Sequence, residues 1–125
     1  ASADIVINEE FLDVAVPPAN MGKLLDAIDV ISAKFDSHIP AYGHAGDGNL
    51  HPHVMMEKGK DPGNIKKIKK EIYKAAVSLG GTITGEHGTG KTRADDLVLC
   101  LSEKERQLIS GIKNLFDPNN ILNPR

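Results

Sequence analysis

A chain of 125 residues has the size of one domain, and 40% hydrophobic content supplies a modest core. With 15 Lys and Arg against 17 Asp and Glu, the net charge of -2 excludes a global basic field for nucleic acid, so any anion site is local. The single cysteine, Cys100, excludes an internal disulfide, and no apolar run is long enough to cross a membrane.

Within the apolar stretch Leu97 to Leu101, Cys100 reads as a small buried hydrophobe of a reducing compartment. The opening residues ASADIVINEE lack the basic region and apolar block of a signal peptide, so a cytoplasmic location is expected. A start at Ala1 in place of methionine points to a piece cut from a longer protein.

From Phe11 to Val16, Leu12, Val14 and Val16 alternate with Asp13 and Ala15, a period of two that predicts a strand ended by Pro17-Pro18. Asn20 is placed to cap a helix running to about Phe35, with Met21, Leu24, Leu25, Ile28, Ile31 and Phe35 at helical spacing. Extended stretches follow at His38 to Ala45 and Leu50 to Met56, joined by a turn on Asp47-Gly48. Asn64 to Leu79 reads as a second helix stopped by Gly80; its Lys66, Lys67, Lys69, Lys70 and Lys74 form a solvated face. Thr82 to Thr84 is a short last strand, and Ser102 with Glu105 opens a final helix that ends at Asp117-Pro118. The order is β-α-β-β-α-β, an α+β ferredoxin-like core over residues 9–84 with two helices on one sheet face, followed by an active-site loop and C-terminal helical extension over 85–125.

A two-residue turn at Asp47-Gly48 pairs Gly46 with Asn49, Ala45 with Leu50, and His44 with His51. Directly opposed side chains share a face with β-carbons about 5 Å apart, so both imidazoles reach one ion. The same parity sets Tyr42 and His53 beside them and turns Leu50, Val54 and Met56 toward the helices. A strand histidine is more often simply half-exposed or satisfied in a core, and the opposed pair is what raises metal ligation above that reading. In the ferredoxin-like order the loop after strand four lies at the hairpin's end of the sheet. Its sequence GEHG then has to reach about 10 Å to bring Glu86 to the histidines as a third ligand. His87 is left as a base.

The same loop, TGEHGTGKT from Thr84 to Thr92, matches G-x-x-x-x-G-K-[ST] at Gly85, Gly90, Lys91 and Thr92. A phosphate loop needs a helix N-terminus after the first strand of a parallel sheet, and Glu86 sets a carboxylate against the phosphates. Nucleotide hydrolysis is therefore the least favoured reading.

G-H-A-G-D-G-N-L-H (Gly43 to His51), G-E-H-G-T-G (Gly85 to Gly90) and D-P-N-N-I-L-N-P (Asp117 to Pro124), in that order, resemble the C-terminal part of the FAD-linked 2-hydroxy-acid oxidases and dehydrogenases. That family includes the glycolate oxidase FAD subunit, D-lactate dehydrogenase and D-2-hydroxyglutarate dehydrogenase. The resemblance spans Glu9 to Arg125 and implies oxidation of a small 2-hydroxy acid to the 2-oxo acid. It implies His44, His51 and Glu86 as ligands of zinc or another divalent metal, and His87 as the base taking the hydroxyl proton. Asn123, with Gly85 and Gly88, is implied to lie by the flavin. His53 stands where many members have asparagine and is assigned to substrate, with altered metal coordination as the alternative. The family's FAD-binding domain has no counterpart here, so the isolated chain is expected to be inactive and to meet FAD only through that domain of its parent. Further implied partners are an iron-sulfur or other electron-transfer subunit, with peripheral membrane attachment in the full complex. The alternative is a ferredoxin-like binding module without catalysis, using its open sheet face for protein or nucleic acid; low aromatic content, 4%, weakens it.

Overall fold

The computed structural model describes residues 6–57 and 59–124; residues 1–5, part of the stretch on which the signal-peptide expectation rests, lie outside them. The chain forms two compact units, Ala1–Gly88 and Thr89–Arg125.

The first unit is a four-stranded antiparallel sheet with two helices. Strands β1 (Val6–Phe11) and β2 (Val14–Ala15) lie along one edge of β4 (Asn49–Glu57), and β3 (Ala41–His44) lies along the other. The pairs Glu9↔Met55, Phe11↔His53, Val14↔Leu50 and Ala15↔Asn49 keep one register, so β1 and β2 are one interrupted strand. Pro52 causes the interruption. Its carbonyl accepts from the Leu12 amide at 2.9 Å, but the pyrrolidine nitrogen has no hydrogen to return. On the far edge of β2, Ala15 bridges Thr82 and Asp13 bridges Thr84, so the expected last strand is reduced to two bridges. The ferredoxin-like α+β order holds with that reduction, and with a first strand beginning earlier than the alternation at Phe11 predicts.

Helices α1 (Met21–Phe35) and α2 (Gly63–Ser78) pack on one sheet face. Leu24, Ile28 and Ile31 of α1 meet Ile68, Ile72 and Ala76 of α2 over Leu12, Val14, Val54 and Met56, all buried. Asn20 does not cap α1 with its side chain; its Nδ2 donates instead to the Leu79 carbonyl at 2.9 Å and ties the start of α1 to the end of α2.

The hairpin between β3 and β4 is longer than the sequence predicts. Ala45–Asp47 form a 3-10 turn closed by Gly48 at φ 74°. A side chain at Gly48 would also stand 1.9 Å from the Val16 carbonyl oxygen, so glycine is required twice over. The register becomes Tyr42↔His51, Gly43↔Leu50 and His44↔Asn49, which corrects the expected His44–His51 opposition. The slip is two residues, and since side chains alternate with period two, His44 and His51 keep a common face.

In the second unit, a 3-10 segment Ala94–Leu99 precedes α3 (Glu103–Phe116), which opens with the expected capping box of Ser102 and Glu105. Cys100 is half-buried, less than the apolar stretch around it predicts. Leu108, Ile112, Leu115 and Phe116 of α3 are exposed. No helix among the described residues is long and apolar enough to cross a membrane.

Beyond α3, Asp117 accepts from the amides of Ile121 and Leu122 at 3.0 Å each and from Lys113 Nζ. The Lys113 bond is the main cause holding its carboxyl below the ordinary range; desolvation opposes it and the two amides add to it. A lowered carboxylate keeps its contribution above the unfolded value and loses it as pH falls through the folded one. The Ile121 and Leu122 amide resonances should therefore hold their positions from pH 7 to about 4 and move only below that. Asp117→Ala should show the displaced positions already at pH 7.

Candidate metal centre

On the sheet face opposite the helices, strand alternation presents Asp13 from the first strand, Tyr42 and His44 from β3, and Asn49, His51 and His53 from β4. The loop Gly85–Gly88 folds over the hairpin end of this face. Asn49 is buried beneath it, and a β-carbon on Gly85 would lie 2.6 Å from the Asn49 Oδ1.

One oxygen collects the histidines. Glu86 Oε1 lies 3.2 Å from His51 Nε2, 3.6 Å from His87 Nε2 and 3.9 Å from His44 Nε2. The His44 and His51 rings meet edge to face at 6.1 Å, and the His87 ring stacks on His51 at 4.9 Å with an interplanar angle of 13°. His44, His51 and Glu86 each offer one ligand atom, all within 4.8 Å of one another. Tetrahedral zinc with bonds near 2.1 Å sets its ligands about 3.4 Å apart, so the 3.2 and 3.9 Å separations need only small rotations. The donor set, two imidazoles and a carboxylate, fits a divalent transition metal.

Sequence reasoning missed the residue that holds the loop. Asp13 is fully buried, and its Oδ2 accepts from three consecutive amides: Gly85 at 3.0 Å, Glu86 at 2.9 Å and His87 at 2.7 Å. The Thr84 hydroxyl adds a fourth donor at 3.4 Å. Consecutive amides turned to one point form an anion-binding nest. Here the anion is the chain's own carboxylate. Burial pushes the Asp13 carboxyl up, but the amides of His87, Glu86 and Gly85, with the His87 charge, outweigh it and leave the value lowered. The amides a phosphate would use are thus taken, and Thr92 leads into the 3-10 segment Ala94–Leu99 where a phosphate loop needs an α-helix. The signal was one acidic residue alternating with Leu12 and Val14; its opposite number, on a strand far along the chain, was not readable.

His53, Gly88 and Asn123 are outside this donor set. His53 stacks on Phe11 at 3.9 Å, and its Nε2 is 2.9 Å from Glu9 Oε2. Gly88 has φ 73° and open space where a side chain would stand. Asn123, at φ 47°, belongs to the second unit and lines a groove there with Leu97, Ile109 and Phe116.

Residues 6–125 match the family described as FAD linked oxidases, C-terminal domain. The chain is 42% identical over 114 residues to the glycolate oxidase subunit GlcD of Bacillus subtilis, covering 90% of this chain and 24% of that protein. It is 37% identical over 125 residues to the D-lactate dehydrogenase of Anaerostipes hadrus, covering 98% and 26%. With the D-2-hydroxyglutarate dehydrogenase of Stutzerimonas stutzeri it shares 33% over 118 residues, covering 90% and 25%. The chain spans about a quarter of the length of these relatives.

The Gly85–Asn49 contact has a direct consequence. Gly85→Ala should destabilise the chain by about 1–3 kcal/mol in urea unfolding, the range for an overpacked site. Asn49→Ala in the same chain should recover most of that loss if the clash with Asn49 is its cause.

Proposed function

The chain belongs to the FAD-linked oxidase C-terminal domain family, and from that membership we propose that it is the substrate- and metal-binding part of a flavoprotein that oxidises a small 2-hydroxy acid to the 2-oxo acid. The observation that carries the reading is the convergence of three imidazole nitrogens on Glu86 Oε1. Relatives named for glycolate, D-lactate and D-2-hydroxyglutarate support the substrate class, which shares a carboxylate beside a hydroxyl-bearing carbon.

His44 Nε2, His51 Nε2 and Glu86 Oε1 would hold the cation. His44 and Glu86 are well exposed while the His51 side chain is 12% exposed, so the set opens to the side from which a substrate arrives. Such a metal would supply polarisation of the substrate hydroxyl and carboxylate, and the parent's flavin would supply the hydride acceptor for the α-carbon. His87 takes the hydroxyl proton: its ring is exposed, and stacking on His51 orients it beside the ligand set. His53 bounds the substrate space, two residues along β4 from His51. Gly85 and Gly88 would let the loop backbone approach a flavin closely, and Asn123 is assigned to the flavin as well.

The FAD-binding domain of the parent is the first partner. Its presence is supported by the three quarters of the relatives' length that lie beyond the match, and by the exposed apolar stripe of α3. An electron-transfer subunit, iron-sulfur or other, would then reoxidise the flavin.

Calorimetric titration of the isolated chain with zinc or manganese should show one ion per chain. The His44→Ala, His51→Ala double variant should abolish that binding; equal affinity in the two proteins would contradict the metal centre. In the full-length parent, one of glycolate, lactate or 2-hydroxyglutarate should bleach the flavin. His87→Gln there should keep its metal and lose about 10²–10⁴-fold in kcat.

A further inference from the structure

Asp13 Oδ1 and His51 Nδ1, both buried beside the centre, are among the polar atoms that lack a hydrogen-bond partner. They face each other at 3.5 Å. Phe11↔His53 and Val14↔Leu50 put Asp13 directly opposite His51, and the hydrogen-bonded position at Leu12 and Pro52 makes this the close, non-bonded kind of pair. Closing by about half an ångström gives an ordinary N–H···O bond.

Both ends of the His51 ring are thereby committed. Nε2 faces Glu86 Oε1 at 3.2 Å on the ligand side, and Nδ1 faces Asp13 on the buried side. A neutral imidazole carries one hydrogen. On Nδ1 it satisfies Asp13 and leaves the Nε2 lone pair for a cation; until a cation binds, the exposed Glu86 carboxylate is free to turn aside. On Nε2 it blocks the ligand position and sets two acceptors against each other inside the protein. Asp13 has no freedom to turn away, because Oδ2 is fixed by the amides of Gly85, Glu86 and His87.

We propose that Asp13 is the positioning residue of this centre: one oxygen fixes the loop that carries Glu86 and His87, and the other holds His51 in the Nδ1–H tautomer with Nε2 free to ligate. The ligating role of Nε2 rests on the metal-centre reading; the tautomer does not. Outer carboxylates of this kind raise ligand basicity and set ring orientation, and their loss typically costs 10–100-fold in metal affinity.

The test uses the 125-residue chain, metal-free, with ¹⁵N-labelled histidine and long-range ¹H–¹⁵N correlation at a pH where His51 is neutral. His51 in the wild type should show protonated Nδ1 and bare Nε2. In Asp13→Asn the amide oxygen inherits the three backbone donors and the NH2 group faces Nδ1. The ring should switch to the Nε2–H form, and zinc affinity should fall 10–100-fold. A wild-type ring with protonated Nε2 overturns the proposal, whether or not the variant folds. So does Asp13→Asn with unchanged tautomer and unchanged zinc affinity. The expected tautomers in a chain that binds no zinc would uphold the Asp13 contact and overturn the metal-centre reading alone.

Discussion

The arrangement of this site depends on a single buried carboxylate. Asp13 has no solvent contact, and a charge in that position is tolerated only when fully solvated by the protein. The amides of Gly85, Glu86 and His87 provide that solvation at 2.7–3.0 Å. The dependence runs both ways. Without the loop, the Asp13 carboxylate would lose its donors, and without that carboxylate the amides of Glu86 and His87 would lose their acceptor, Gly85 keeping only the Asp13 carbonyl. A glycine-rich segment that is otherwise free to wander is thereby fixed over the hairpin end of the sheet. Glu86 and His87, which follow in sequence, are delivered to the histidines as a consequence.

The sheet supplies the second constraint. Its apolar face is closed by α1 and α2, so every residue of opposite parity is turned to the other side. Polar and titratable side chains gather there: Asp13, His44, His51 and His53 among them. Parity makes the gathering robust. The β3–β4 hairpin is longer than a two-residue turn, and His44 faces Asn49 rather than His51. A slip of one residue would have sent His44 into the core. The observed slip of two moved it along the same face and left the rings 6.1 Å apart.

These two constraints explain what was readable from the sequence. Alternation over Leu12, Val14 and Val16 and the helical spacing of Leu24, Ile28 and Ile31 are local patterns, and they specify the α+β order, the helix limits and the face on which His44 and His51 lie. The capping box at Ser102 and Glu105 was legible for the same reason. The hairpin register depended on Gly48 and its contact with Val16 on another strand, so it was legible only to parity. Asp13 was not legible as a site residue at all. Its partners lie on β4 and after α2, and nothing local separates it from any acidic residue on the open face of a strand. The interruption at Leu12 and Asp13 likewise comes from Pro52, forty residues further on in the chain. The phosphate-loop match, already the least favoured reading, fails in the structure for a further reason: the glycines and amides have the right local pattern, but a nest that already holds a carboxylate has no room for a phosphate.

His44, His51 and Glu86 are proposed to form one metal site. Anomalous diffraction at the zinc edge from zinc-loaded crystals of the chain tests it most directly. One peak is expected, bonded to His44 Nε2 and His51 Nε2 at about 2.0–2.1 Å and to Glu86 at about 2.0–2.2 Å. A zinc peak at any other group of residues, with these three side chains unligated in the same crystal, would contradict it.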